Sequence, residues 1–176
     1  MQISVNVPIY NEGENVDTLY AELVETLESL GVEFEIVLTN DGSDDATSAR
    51  LDALAARDPR VKIIHFRRNY GQTAALMAGI RHCRGRVVVL MDGDLQNDPG
   101  DIPALLDKLD EGYDVVSGWR KERLEGLARR VPSRIANWLV SRMSGLRLRD
   151  YGCTLKAYRR EVLENVRLYG EMHRFI

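Results

Sequence analysis

A chain of 176 residues that is 44% hydrophobic and 29% charged can bury one core, and it reads as a single folded domain rather than a disordered segment. A net charge of −3 argues against general nucleic-acid affinity, and no apolar run approaches the roughly 20 residues that a bilayer-crossing helix needs. Cys83 and Cys153 form no C-x-x-C pair and the N-terminus has no secretory pattern, so a cytoplasmic chain with two plain buried thiols is expected.

Taken in chain order, residues 3–9 read as a strand. Residues 14–30 follow as an amphipathic helix, with Val16, Leu19, Leu23, Leu27 and Leu30 at helical spacing and Gly31 as its stop. A second strand covers 34–39, a second helix runs from 44 or 45 to 57, and a third strand covers 61–66. Residues 71–83 form a helix rich in small side chains (Ala74, Ala75, Ala78, Gly79), suited to lying close on a sheet. The run 87–91 is entirely apolar and is therefore a central strand. A helix over 101–109 and a strand over 113–117 complete the first half. Strands alternating with helices specify an α/β fold: a mostly parallel central sheet with helices on both faces.

After Gly118 the pattern changes. From Trp119 to Arg149 nine Lys or Arg stand against Glu122 and Glu125, a local charge of +7 that leaves −10 for the rest of the chain. Such segregation marks either a solvated face or a phosphate surface, and charge alone does not choose. Pro132-Ser133 opens a helix carrying Ile135, Leu139, Met143 and Leu146; residues 150–158 read as loop then strand, and 159–166 as a short helix. The organisation is one domain over 1–176, with its chemistry divided between residues 1–118 and 119–176.

In parallel α/β sheets, ligands bind at the carboxyl ends of the strands. Four of those ends carry unusual residues: Val7-Pro-Ile-Tyr-Asn-Glu12, Asn40-Asp-Gly-Ser-Asp-Asp45, Asp92-Gly-Asp94-Leu-Gln96 and Ser117-Gly-Trp-Arg120. Carboxylates converging on one edge repel each other unless a cation sits among them, and a hard divalent ion completed by substrate phosphates removes that cost. Each element also has a plainer reading. Asp41-Gly42 suits a turn, Asp44 a helix cap, and Asn69-Tyr-Gly71 a turn before a helix. An EF-hand is excluded because Pro103 stands where the twelfth-position Glu belongs and a strand pattern precedes the loop. A dinucleotide site is disfavoured because no G-x-G-x-x-G follows the first strand. His65, His82 and His173 show no metal-ligand spacing.

Together with Arg68-Asn-Tyr-Gly71, Met91-Asp-Gly-Asp-Leu-Gln-Asn-Asp-Pro99, Arg134-Ile-Ala-Asn137, Asp150-Tyr-Gly-Cys153 and Glu171-Met-His-Arg-Phe175, these segments resemble family 2 glycosyltransferases of the GT-A fold. More closely they resemble the branch that loads sugars onto dolichyl or undecaprenyl phosphate. The resemblance covers essentially the whole chain. It implies that Pro8, Tyr10 and Glu12 face the nucleotide, with Tyr10 near the base and Glu12 near the ribose. By the same resemblance Asp41 pairs with the base, and Asp92 serves the ribose or the metal-bound region. Asp94 and Gln96 match direct ligands of an Mg²⁺ or Mn²⁺ that bridges the diphosphate. Arg120 and Arg134 match basic residues facing phosphates, and Arg174 matches a residue that helps close over the diphosphate.

The implied reaction is inverting, metal-dependent transfer of a hexose from a UDP- or GDP-linked donor to a polyprenyl phosphate, at the cytoplasmic face of a membrane. A leaving nucleoside diphosphate accumulates negative charge, which a divalent ion and planar guanidinium groups stabilise. A phosphate acceptor with a second pKa of about 6 is already ionised and needs no strong base. If a base is needed, Asp150 is the candidate, with an Asx-turn before Gly152 as its alternative. Two other readings stand beside this one: a family 2 enzyme acting on a saccharide hydroxyl in cell-envelope polysaccharide synthesis, and a non-enzymatic nucleotide-sensing or phospho-acceptor module. Relatives in this branch usually continue past the His-Arg-Phe segment, so a further C-terminal part and a membrane anchor are expected to be missing from this chain.

Overall fold

The computed structural model describes residues 2–119 and 153–164, together with 166, 168 and 170. Arg120, Arg134, Asp150, the helix expected after Pro132 and the segment 171–175 lie outside the described residues. The elements run β1 (Ile3–Ile9), α1 (Val16–Ser29), β2 (Phe34–Asn40), α2 (Thr47–Arg57), β3 (Val61–His65), α3 (Gln72–His82) and β4 (Val87–Leu90). A 3-10 turn at Pro99–Asp101 then leads into α4 (Ile102–Asp110), followed by β5 (Val115–Ser117), β6 (Lys156–Arg159) and a single helical turn, Arg160–Leu163. Among the described residues no helix is long and apolar enough to cross a membrane.

One six-stranded sheet holds the fold, in the order β3-β2-β1-β4-β6-β5. The first four strands in that order are mutually parallel, β1 pairing with β2 from Ile3↔Phe34 to Ile9↔Asn40 and with β4 from Ile3↔Val87 to Asn6↔Leu90. This register brings the carboxyl ends of β1, β2 and β4 out on one edge. β4 is central, as its apolar run predicts. The sequence reading did not foresee that β6, drawn from the second half of the chain, runs antiparallel between β4 and β5. Alternation along the chain cannot reveal such an insertion, because strand order is a matter of non-local pairing.

The two faces of the sheet differ. Ile3, Val5, Val7 and Ile9 of β1 point towards α1, α2 and α4, packing with Leu19, Leu23, Leu27, Leu51, Leu54 and Leu109. Each fully buried aliphatic side chain of this kind contributes about 1.5–3 kcal/mol. The other face is covered by α3 and the turn at Arg160–Leu163, through Leu76, Met77, Ile80 and Leu163 against Val37, Val88 and Tyr158. There the alternate residues of β1 are polar, and Ser4 and Asn6 are fully buried. Asn6 Nδ2 donates to the Leu76 carbonyl at 3.0 Å, and a Cβ added to Gly79 would stand 1.9 Å from Asn6 Oδ1. Glycine at 79 thus lets α3 lie directly on β1, the close packing expected of a small-residue helix.

Cys83 and Cys153 are both buried free thiols. Burial pushes the Cys83 thiol up to about 12, which keeps it protonated and unreactive at neutral pH.

Candidate functional site

At the carboxyl edge, β1, β2 and β4 release their loops side by side, and the loops are bonded to one another. Asn11 adopts a left-handed backbone (φ 53), a conformation asparagine tolerates better than most residues. Its amide exchanges two bonds with Asp44: Asn11 Nδ2 donates to Asp44 Oδ1 at 2.8 Å, and the Asp44 N–H donates to Asn11 Oδ1 at 3.0 Å. Asp45 accepts from the N–H groups of Thr47 at 2.9 Å and Gly13 at 3.2 Å. Asp45 therefore serves the start of α2, which begins at Thr47 rather than at 44 or 45, and Asp44 ties β2's loop to that of β1. The Glu12 N–H donates to Thr47 Oγ1 at 3.0 Å, and Glu12 Oε2 accepts from Asn15 Nδ2 at 2.6 Å.

Asp41, only 3% exposed, reaches the loop between β3 and α3. Its Oδ1 accepts from the Tyr70 N–H at 2.7 Å and its Oδ2 from the Gly71 N–H at 2.9 Å, so it holds the entry to α3. Gly42 makes this contact possible. Its φ is +70, and an added Cβ would lie 2.2 Å from the Arg68 carbonyl carbon, so no other residue fits without moving that backbone.

Past β4 the chain turns through Asp92-Gly93-Asp94. Asp92 Oδ1 accepts from Gln72 Nε2 at 2.6 Å, and Asp94 Oδ1 accepts from the Gln96 N–H at 3.1 Å. Leu95, between Asp94 and Gln96, has φ 58, a left-handed conformation costing a bulky residue about 1–2 kcal/mol. Behind the loop, Asn97 is buried and donates to Thr154 Oγ1 at 3.0 Å, anchoring the acidic turn to the chain entering β6.

These loops enclose a cleft of about 300 Å³ lined by Pro8, Ile9, Tyr10, Glu12, Asp41, Asn69, Gly71, Gln72, Asp92, Gly93 and Asp94. Six residues singled out from sequence therefore meet in one place: Pro8, Tyr10, Glu12, Asp41, Asp92 and Asp94. Gln96 is exposed and does not line the cleft. Gln72 and the walls at Asn69 and Gly71 were not among the expected site residues. The signals for them were the Arg68-Asn-Tyr-Gly71 segment and a lone glutamine opening a helix of small and apolar residues. Beside the cleft Tyr70 is 55% exposed, with the Phe66 ring edge-on at 5.5 Å and the Arg68 guanidinium 5.0 Å from its centre.

Among the described residues no Lys or Arg is ion-paired with Glu12, Asp41 or Asp94. Nor, among those residues, do three or more His, Cys, Asp or Glu side chains come together as a self-sufficient metal cage. Two half-buried aspartates separated by one glycine suit a hard ion that keeps part of its coordination for water and phosphate oxygens, the usual habit of Mg²⁺.

A family model described as Glycosyl transferase family 2 matches residues 4–167. The chain belongs to that family. The dodecaprenyl-phosphate galacturonate synthase of Rhizobium johnstonii is 44% identical over 179 residues, covering 100% of this chain and 53% of that protein. The undecaprenyl-phosphate 4-deoxy-4-formamido-L-arabinose transferase of Pseudomonas fluorescens is 42% identical over 175 residues, covering 99% and 51%. The relatives of this family 2 chain thus include polyprenyl-phosphate sugar transferases, and the chain spans about half of their length. Among solved structures, glucosyl-3-phosphoglycerate synthase from Mycobacterium tuberculosis, in complex with Mn²⁺ and UDP-glucose, matches with a TM-score of 0.70 at 21% identity over 94% of this chain and 58% of that one. A mannosyltransferase from Pyrobaculum calidifontis, in complex with GDP-Man and Mn²⁺, gives 0.64 at 22% identity over 93% and 46%. At such identities the likeness concerns the fold, and it is the GT-A fold expected from the sequence.

Proposed function

We propose that this chain is the catalytic part of an enzyme that transfers a sugar from a nucleoside-diphosphate donor to a polyprenyl phosphate, with inversion at the anomeric carbon. The observation that carries this reading is the cleft itself: Glu12, Asp41, Asp92 and Asp94 meet at the carboxyl edge of a family 2 sheet. The acceptor class rests on the names of the relatives at 44% and 42% identity.

Roles follow from position. Pro8, Tyr10, Glu12 and Asp41 form the side of the cleft given to the nucleoside. Asp41 is acceptor-only when ionised, and the Tyr70 and Gly71 N–H groups hold it in one orientation, which suits it to accept from a base N–H. Asp92 and Asp94 would hold Mg²⁺ or Mn²⁺ from inside the cleft, with Gln96 joining them only from the exposed end of the same turn, and the ion would offset the charge that builds on the departing diphosphate. α3 directs its N-terminal end at the same cleft, adding a favourable field for anions. Arg120 and Arg134 are assigned to phosphate oxygens of donor and acceptor. Because a phosphate monoester is already anionic at neutral pH, Asp150 has at most an orienting role. With a lipid acceptor and a nucleotide donor, the reaction is assigned to the cytoplasmic face of a membrane.

The test is a panel of UDP- and GDP-linked sugars scored for Mn²⁺-dependent binding, followed by transfer to a polyprenyl phosphate in detergent. Metal-dependent binding of one nucleotide class and transfer to the lipid phosphate are expected. Transfer to a saccharide but not to the lipid would move the chain to the hydroxyl-acceptor class. Binding of neither nucleotide class in metal-replete buffer would overturn the transferase reading.

A further inference from the structure

Two polar side chains of the cleft, Asn69 and Gln72, have no role in that reading, and Gln72 is the one bonded to a carboxylate across it. Gln72 is the first residue of α3, half-buried, and its amide donates to Asp92 Oδ1 at 2.6 Å across the cleft floor. A bond from an amide to a carboxylate is charge-assisted and short, and it restricts the torsion that aims the carboxylate's other lone pairs. The amide is itself firmly placed. The two residues before it, Tyr70 and Gly71, donate their N–H groups to the two oxygens of Asp41, and α3 is seated on β1 by the Asn6 bond to the Leu76 carbonyl. β2 and β4 lie on opposite sides of β1, so the start of α3 bridges a carboxylate from one to a carboxylate from the other.

We propose that Gln72 is a positioning residue: its amide, held in place by Asp41 through the start of α3, sets the orientation in which Asp92 meets the metal-bound diphosphate. This rests on the reading of Asp92 as a metal donor, and it makes metal affinity depend on a side chain that acts through Asp92 rather than as a ligand itself. Partners that orient a metal ligand typically change affinity 10–100-fold when removed. A residue that contacted the nucleotide directly would instead weaken binding whether or not metal is present.

The experiment titrates Mn²⁺ against the 176-residue chain with and without UDP and GDP, and UDP and GDP against it with and without Mn²⁺, by calorimetry, for the unmodified protein, Gln72→Met, Asp92→Asn and the double variant. Gln72→Met keeps the length of the side chain and removes the donor. It is expected to raise the half-saturating Mn²⁺ concentration about tenfold or more, to leave metal-free nucleotide affinity unchanged, and to add nothing in the Asp92→Asn background. Gln72→Asn keeps the amide but falls short by one carbon–carbon bond. It should show the same loss, which guards against a folding defect peculiar to the methionine. Equal weakening with and without metal, or full additivity with Asp92→Asn, would overturn the inference, as would an unchanged Mn²⁺ titration in either Gln72 variant. In each of those three cases the functional reading survives. Absence of any metal-dependent nucleotide binding by the unmodified chain would end both.

Discussion

The two edges of the sheet treat their carboxylates in opposite ways. At the amino edge, Glu35 and Asp58 are 0% and 5% exposed and are matched by cations. Lys62 Nζ donates to Glu35 Oε2, while Ser4 Oγ and the Arg84 N–H donate to Glu35 Oε1, each at 2.6 Å. Burial pushes the Glu35 carboxyl up, and these three donors outweigh it, so its pKa lies below the ordinary value. Asp58 accepts from the Arg60 side chain on both oxygens and from the Tyr20 hydroxyl at 2.9 Å. At the carboxyl edge, Glu12, Asp41 and Asp94 receive only amides and backbone N–H groups among the described residues. Carboxylates with their own cations hold the fold together. Those held by neutral donors keep their charge available to a ligand.

The largest expected effect tests the ligand edge. Asp94→Asn keeps the shape and removes the charge, and it should reduce sugar transfer by about 10²–10³-fold with little change in thermal midpoint. A labelled-sugar transfer assay alongside a melting curve checks both, and undiminished transfer would remove Asp94 from the site. At the structural edge, Glu35→Ala leaves Ser4, the Arg84 N–H and Lys62 without their acceptor. A loss of about 3 kcal/mol is expected in urea unfolding, with nucleotide affinity intact. If nucleotide binding fell as far as stability, the division between the edges would not hold.

Gly42→Ala acts at the carboxyl edge alone but should cost both stability and binding. Its positive φ and the Arg68 backbone 2.2 Å from the new Cβ predict about 2–3 kcal/mol of destabilisation. The displaced Arg68–Asn69 backbone should also weaken nucleotide binding, unlike Glu35→Ala. The smallest effect concerns pH. Bonds from the Arg60 side chain hold the Asp58 carboxyl down, against burial, at about 2 compared with 3.8 for the free group. A depressed folded pKa contributes stability that is full above the unfolded value and is lost as pH falls through the folded one. About 2 kcal/mol should therefore disappear between roughly pH 4 and pH 2. Urea midpoints across that window should be flatter for Asp58→Asn, and a parallel decline in both proteins would assign the acid sensitivity to other groups.

The fold was legible where the signal is local. α1 buries Val16, Leu19, Leu23 and Leu27 as their spacing predicts, and β4 is central because a strand apolar on both faces has nowhere else to go. Six of the expected site residues line one cleft, since acidic and turn-forming residues at the ends of parallel strands must emerge on one edge. Asp44 and Asp45 were harder to read. Asp44 was the expected cap, but it is taken by Asn11, more than thirty positions away in the chain, and Asp45 receives the Thr47 N–H at the start of α2 instead.

The order of strands and helices along the chain, the edge at which the singled-out residues meet and the acidic character of that edge were thus determined by sequence alone, because hydrophobic period and strand polarity are properties of short segments. Tertiary structure decided the insertion of β6 between β4 and β5, the use of Asp41 to hold the start of α3, and the bond from Gln72 to Asp92. Those depend on which segments pair across the sheet and how closely α3 approaches β1. Non-local packing settles both, and no spacing along the chain encodes it.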